Sequence, residues 1–317
     1  MEANTDGRRD RLAGGLQGLL IGDALGVPYE FHSAAELPAT TLIDFEPPEG
    51  FRRSHAGVPP GTWSDDGAQA LCLLSSLLEC GELNLTHFAG RLLNWAVWGY
   101  LAVDGHVFDI GVQTWRAMEA LKAGVPPERA GPAGEYDNGN GALMRVLPVA
   151  LWHQGDDAAL VAIAAAQGLP THGHPRSAVA CAMLCLWARV ELAGEATSWE
   201  AAASRLRTVG PAAGLPAAEI EHVLDPVHRQ RVEGTGYVVD TLWSAHHVLD
   251  GARDYAQVVR DAIALGNDTD TTAAVAGGIA GIRFGNRGIP TTWRERLRGR
   301  DLFADLEHRL LQRAGLP

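Results

Sequence analysis

The sequence predicts an all-α fold, a single compact multi-helix domain whose polar motifs gather in a cleft at helix ends. Three observations predict it. Apolar residues recur at helical spacing along most of the 317-residue chain, no two segments alternate as paired strands do, and neither a repeat nor a composition shift marks a linker. The densest chemistry sits at one helix start, Gly266-Asn267-Asp268-Thr269-Asp270-Thr271-Thr272. Two carboxylates and up to three hydroxyls fall there in five consecutive residues, ahead of a helix predicted to reach about Gly285. Val275, Ile279 and Ile282 give that helix its period, while Gly277, Gly278 and Gly281 keep part of its surface small enough for a neighbouring backbone to come close.

Residues 1–8 are polar and expected to be disordered, leaving one domain over 9–317. Arg9 to Leu25 reads as a helix with Leu12, Leu16, Leu19 and Leu20 on one face. Gly26 and Pro28 end it and place Glu30 on the loop just beyond. Residues 32–62 hold no period and contain five prolines, the mark of a long functional loop. That loop runs into a second acid-hydroxyl cluster, Thr62-Trp63-Ser64-Asp65-Asp66-Gly67, which opens a helix with Ala68, Leu71, Cys72, Ser75 and Leu78 on one face. Asn84 to Tyr100 and Val112 to Ala123 are the next helices, with Asp109 beside the start of the second.

The loop over 126–137 ends in Asn138-Gly139-Asn140-Gly141, where glycines let backbone N–H groups approach a ligand such as a phosphate. Helices over 156–167 and 176–192 flank Thr171-His172-Gly173; His172 is either a plain loop residue or an anion ligand at a helix mouth. Further helices cover 199–209 and 216–224. Gly234 to Trp243 has a strand-like look, yet Val238, Leu242, Ala245 and Leu249 follow helical spacing, so a helix starts near Tyr237 with Gly236 at its entrance. His246 and His247 read as surface and packing residues of that helix. Tyr255 to Leu265 precedes the central motif, and Trp293 to Leu311 close the chain.

Composition narrows the function. The chain is 46% hydrophobic and 20% charged, as globular proteins are, with ample length for a large core. A net charge of −12 without any Lys/Arg run argues against general nucleic-acid or membrane-surface binding, though not against a local basic pocket. Cys72, Cys80, Cys181 and Cys185 lie in apolar helical runs without a Cys-x-x-Cys spacing and read as small buried hydrophobes in a reducing compartment. The polar start lacks a signal-peptide core, and the longest apolar stretch, near 178–190, is too short for a bilayer. A cytoplasmic protein is expected.

An acid at a helix start is ordinarily a cap, and one residue suffices for that. Two such clusters joined by the fold would instead make a cation site. Oxygen ligands suit Mg²⁺, Ca²⁺ or Mn²⁺ better than Zn²⁺. Four carboxylates together would repel strongly without cations.

Taken together, the motifs resemble those of the ADP-ribosylglycohydrolase family. The pieces are Gly22 to Glu30, Ser64-Asp65-Asp66, Phe108-Asp109-Ile110-Gly111, Gly139 to Arg145, Thr171-His172, Gly236 to Leu242 and Asp268 to Thr271, in the family's order. The resemblance implies two divalent cations, Mg²⁺ or Mn²⁺, held by Ser64, Asp65, Asp66, Asp268, Asp270 and Thr271. Ser64 stands where the family usually has Thr; the hydroxyl is kept and the β-branched stiffness lost. Asp109 matches a base candidate near the metals, Glu30 a gating acid, and Asp66 is a third acid that the chemistry could use. Asn138, Gly139, Asn140, Gly141 and His172 match contacts to diphosphate and ribose, and Gly236 and Tyr237 an entrance where a ring stacks near the adenosine. His106 replaces a small residue common in relatives, on the acceptor side.

The implied partners are ADP-ribose and an ADP-ribosylated protein, with arginine preferred as acceptor because an acid near the metals suits a planar cation. Serine-linked or O-acetyl-ADP-ribose remains the alternative. Rival readings are metal-dependent phosphoester or nucleotide hydrolysis, and a non-catalytic ADP-ribose binder. The intact acid set argues against the last.

Overall fold

A computed structural model describes residues 2–195 and 198–316. Fifteen α-helices make up the described chain: α1 (Glu2–Gly26), α2 (Asp65–Cys80), α3 (Leu85–Trp98), α4 (Val112–Lys122), α5 (Pro127–Ala130), α6 (Leu147–Trp152), α7 (Asp157–Ala166), α8 (Pro175–Ala193), α9 (Ser198–Val209), α10 (Ala217–Val223), α11 (Val238–Leu249), α12 (Tyr255–Ala264), α13 (Thr269–Phe284), α14 (Thr291–Arg296) and α15 (Arg300–Arg313). Among the described residues there is no extended strand, only two isolated bridges, Ser33 with Gly266 and Gly139 with Tyr237. The all-α expectation holds in one compact domain around one core, to which α1, α2, α8, α11 and α13 contribute long buried runs.

The axis of the fold is the antiparallel pair α1 and α13, which makes the most extensive helix–helix contact. Its cause is a glycine stripe. Gly14, Gly18, Gly22 and Gly26 recur every four residues along α1, and a Cβ on them would lie 2.1, 2.4, 2.1 and 2.3 Å from the backbones of Gly281, Gly277, Ala273 and Asp270. Residues four apart share a helix face, so four missing side chains let two backbones touch along their length. Tyr255 Oη donates to the Gly18 carbonyl at 2.7 Å, and Thr269 Oγ1 to the Gly26 carbonyl at 2.8 Å. The second bond locks the start of α13, and with it Asp268 and Asp270, against the end of α1.

Three differences from the sequence reading have local causes. The first helix begins at Glu2 rather than Arg9, and Asp6 there pairs with Arg287 at 2.8 Å, so residues 2–8, expected to be disordered, are helical. Met1 lies outside the described residues. The closing stretch is two helices, broken at Gly299, whose φ of +65° belongs to the left-handed region and whose Cβ would strike Trp63. Helix α6 escaped notice because all six of its residues are buried, which leaves no polar face to show a period. Cys72, Cys181 and Cys185 are buried free thiols, as expected, and Cys80 is partly buried. No helix among the described residues is long and apolar enough to cross a membrane.

Candidate active site

The two acid-hydroxyl clusters meet. Ser64 Oγ donates to Asp66 Oδ2 at 3.1 Å, and Thr271 Oγ1, from the other cluster, points to the same oxygen at 3.4 Å. Glu30, Asp268 and Asp270 offer carboxylate oxygens within 4.8 Å of one another. Capping does not explain these acids. No side-chain cap bond is made by Asp268 at the start of α13, and Asp109 lies outside the start of α4, whose N-cap is Gly111. Asp65 is turned aside on one oxygen, which accepts Gln69 Nε2 at 2.9 Å.

The electrostatics fit the crowding. Burial, then the charge of Asp109 and other acids, pushes Glu30 up to about 10. Burial and neighbouring carboxylates raise Asp65, Asp66 and Asp270 well above the ordinary range. Asp109 is held at about 6, raised first by burial and then by Asp268. Asp66 Oδ1 and Asp270 Oδ2 are buried without any hydrogen-bond partner. An orphaned buried carboxylate oxygen is costly, and a hard cation is the partner that removes both the vacancy and the repulsion. The residues present fit a divalent metal.

Asp23, which sequence reasoning passed over inside the Gly22–Glu30 piece, is fully buried. Its carboxylate accepts the backbone N–H groups of Ser64 at 2.9 Å and Gly67 at 2.7 Å, fixing the start of α2 to α1. Burial raises it to about 7. Arg145, also fully buried, is the second such support. It donates to Gln69 at 2.7 Å, to Gln167 at 3.1 Å and to Thr171 Oγ1 at 2.7 Å, so one side chain ties the Asp65–Gln69 pair to the His172 loop. The only trace either left in the sequence was membership of a motif.

The loop residues converge on the same place. Asn140 Nδ2 donates to Asp268 Oδ2 at 2.8 Å and to Thr241 Oγ1 at 2.9 Å. Asn140 N–H reaches the Gly236 carbonyl at 3.1 Å, and Val238 N–H the Asn138 carbonyl at 3.0 Å. His172 packs on Gly139 and Gly141; a Cβ at Gly141 would sit 2.7 Å from its Cε1. Thr171 Oγ1 accepts from Arg145, leaving its hydrogen for His172 Nδ1 at 2.8 Å. Burial, then the Arg145 charge, lowers His172 to about 3. A neutral ring with its proton on Nε2 therefore faces the glycine loop as a donor.

Tyr237 borders a cavity of about 550 Å³ shared with Gln113, Asn138, Gly139 and Gly236. Its hydroxyl lies 3.4 Å from Arg176 Nη1 and 3.1 Å from His222 Nε2. The residue that sequence reasoning missed at the acids is His55, from the long loop. Its Nε2 is 2.7 Å from Glu30 Oε2 and 4.0 Å from Asp109 Oδ1. Burial lowers His55 and raises Glu30, and both shifts weaken the ion-pair form of the shorter contact.

An all-α domain with this acid centre beside a glycine loop has known counterparts. The family model for ADP-ribosylglycohydrolase matches residues 4–317. The chain belongs to the ADP-ribosylglycohydrolase family, and its class is that of an ADP-ribosylglycohydrolase enzyme. It is 30% identical to a Pseudomonas putida (strain GB-1) protein named ADP-ribosylarginine hydrolase Tri1, covering 96% of this chain and 79% of that one. It is 28% identical to the ADP-ribosyl-[dinitrogen reductase] glycohydrolase of Rhodospirillum rubrum, covering 91% and 90%. A solved structure described as an ADP-ribosylglycohydrolase-related protein complex superposes with a TM-score of 0.76 at 30% identity, over 98% of this chain and 99% of that one.

Proposed function

We propose that this protein hydrolyses the N-glycosidic bond between ADP-ribose and a protein arginine, using two divalent cations, Mg²⁺ or Mn²⁺. The observation that carries the reading is the junction at Asp66, where hydroxyls from both clusters meet and two buried carboxylate oxygens lack partners. Ser64, Asp65, Asp66, Asp268, Asp270 and Thr271 would hold the cations, with Glu30 beside Asp268 and Asp270 as a further oxygen donor. When bound, the cations supply Lewis-acid polarisation to water and to the ribose hydroxyls.

The chain's own residues do the rest. The Asn138-Gly139-Asn140-Gly141 loop cradles the diphosphate and ribose beside the Nε2–H of His172, and the Asn140 amide, held by Asp268 and Thr241, keeps that loop against the acids. Gly236 leaves room for the base at the Tyr237 ring. Asp109 is the base favoured by position: its side chain is 22% exposed against 6% for Glu30, and it stands outside the ligand set. It takes a proton from the attacking water as the water oxygen bonds to C1″ of the ribose. The C1″–N bond breaks with its electron pair on the guanidine nitrogen, which takes up the proton that Asp109 received, and the sugar passes through oxocarbenium character. Two relatives named for arginine-linked and dinitrogen-reductase-linked ADP-ribose support this acceptor class.

The test is product analysis on an ADP-ribosylated arginine peptide, with and without chelator. Free ADP-ribose, formed only with Mg²⁺ or Mn²⁺, is expected. Release of AMP would make the protein a phosphoester hydrolase, and binding without any product would make it a reader.

A further inference from the structure

The nucleotide cavity beside Tyr237 accounts for one side of the acid centre. On the Glu30 side lies a second cavity, of about 680 Å³, lined by Phe31, His55, Glu36, Arg52 and Arg53 among others and sharing no residue with the first. From Phe31 and His55 in its wall a ladder of rings leads on to Phe108 and His106. The Phe31 and His55 centroids are 5.7 Å apart, His55 and Phe108 5.1 Å, and Phe108 and His106 5.7 Å. The middle rung is the His55 whose Nε2 holds Glu30. The ladder therefore runs past the two acids, Glu30 and Asp109, that stand on this side of the centre.

Phe31 is the informative rung. It is 70% exposed, so its ring gains nothing from the core. Its φ of +63° is in the left-handed region, which side chains disfavour. His55 at +48° and Asp109 at +59° share that strain. Three strained positions, brought from three separate segments, thus converge around one carboxylate. The backbone of Phe31 is pinned there, its N–H donating to the Asn267 carbonyl at 2.8 Å while Asn267 N–H reaches the His32 carbonyl at 2.6 Å. Strain held in place by neighbouring segments is a sign of function.

We propose that Phe31, His55 and Phe108 form the acceptor subsite, in which a flat guanidinium lies against the rings while its N–H groups reach Asp109. A guanidinium gains from both kinds of surface, through cation–π attraction and charge-assisted hydrogen bonds to a carboxylate. A serine hydroxyl or an acetyl group gains from neither. Of the two arginines that line the cavity, Arg53 is held by Glu46 at 3.5 Å and by the Val58 carbonyl at 2.8 Å, and Arg52 is exposed. His106, the outermost rung, is exposed, which makes its place in the ladder the contact furthest from the acids.

This inference rests on the arginine reading, and its test separates the two. Steady-state kinetics on an ADP-ribosylated arginine peptide are measured for wild type, Phe31→Ala, Phe31→Tyr and the double variant Phe31→Ala/Phe108→Leu, in Mg²⁺. The Kd of free ADP-ribose is measured beside them by calorimetry. Phe31→Ala is expected to raise KM about 2- to 30-fold, the range of a cation–π contact, with kcat nearly unchanged. The double variant is expected to raise it further, and Phe31→Tyr to restore it. ADP-ribose affinity stays as in wild type throughout, which a merely structural role for the rings would not give. A wild-type KM in the double variant, or an equal loss of ADP-ribose affinity, overturns the subsite while leaving arginine hydrolysis intact. A wild type that releases no ADP-ribose from the peptide overturns the arginine reading and the subsite with it.

Discussion

Asp270→Asn separates a cation site from a core residue. Asp270 is fully buried; its Oδ1 accepts the Thr271 N–H at 2.9 Å, and its Oδ2 has no partner. Asparagine keeps the acceptor and puts an N–H₂ where the orphaned oxygen stood, among acceptors. In the metal-free protein the change removes a carboxyl group whose ionised form would stand with its oxygens within 4.8 Å of those of Glu30 and Asp268. At an effective dielectric of about 20, one charge pair at such a distance repels by about 3.5 kcal/mol. Protonation of the neighbours already relieves much of this, so a gain of about 1–2 kcal/mol is expected, or a few degrees in Tm. Thermal unfolding by circular dichroism, in chelator and in Mg²⁺ or Mn²⁺, measures it. The wild type should gain Tm with metal, since binding to the folded state stabilises it. The variant should start higher in chelator, gain little with metal, and have lost turnover. A variant that is less stable in chelator and still responds to metal would refute the reasoning, as would one that turns over normally without metal.

Tyr237→Ala should weaken ADP-ribose binding by roughly 1–3 kcal/mol, the range for base–aromatic stacking, without changing metal affinity; calorimetry with an unchanged Kd would return the ring to packing. Asp109→Asn should cost more turnover than Glu30→Gln on the better substrate, and equal rates would remove Asp109 as the base. His246, packed among Trp187, Trp199 and Trp243, is lowered by burial to about 4, whereas an unfolded histidine titrates near 6.5. As pH falls through that window the unfolded chain gains a proton that the native ring refuses, so His246 costs stability below about 6.5 and nothing above. Urea unfolding of wild type and His246→Phe should show the variant's relative stability growing from pH 6.5 to 4.5, and a pH-independent difference would contradict the shift.

The acids were readable in the sequence because chemistry of that density at helix starts exceeds what capping needs. The helices were readable from their period, down to the non-strand reading of Tyr237 to Leu249. The pairing of elements was not. Gly277 and Gly281 advertised a close neighbour, but the period of α13 does not say that Gly14, Gly18 and Gly22 supply it. His55 was invisible for a related reason: it lies in a loop without period, and its distance to Glu30 is set by tertiary structure alone. Asp23 and Arg145 look ordinary in sequence, and only full burial with several hydrogen bonds each marks them as supports of the site.

The most direct measurement is the rate of ADP-ribose release from matched arginine- and serine-modified peptides, each in Mg²⁺, in Mn²⁺ and in chelator. Release from the arginine peptide, much faster than from the serine peptide and lost in chelator, is the predicted result. A clear preference for serine, or release that persists without divalent metal, would contradict it.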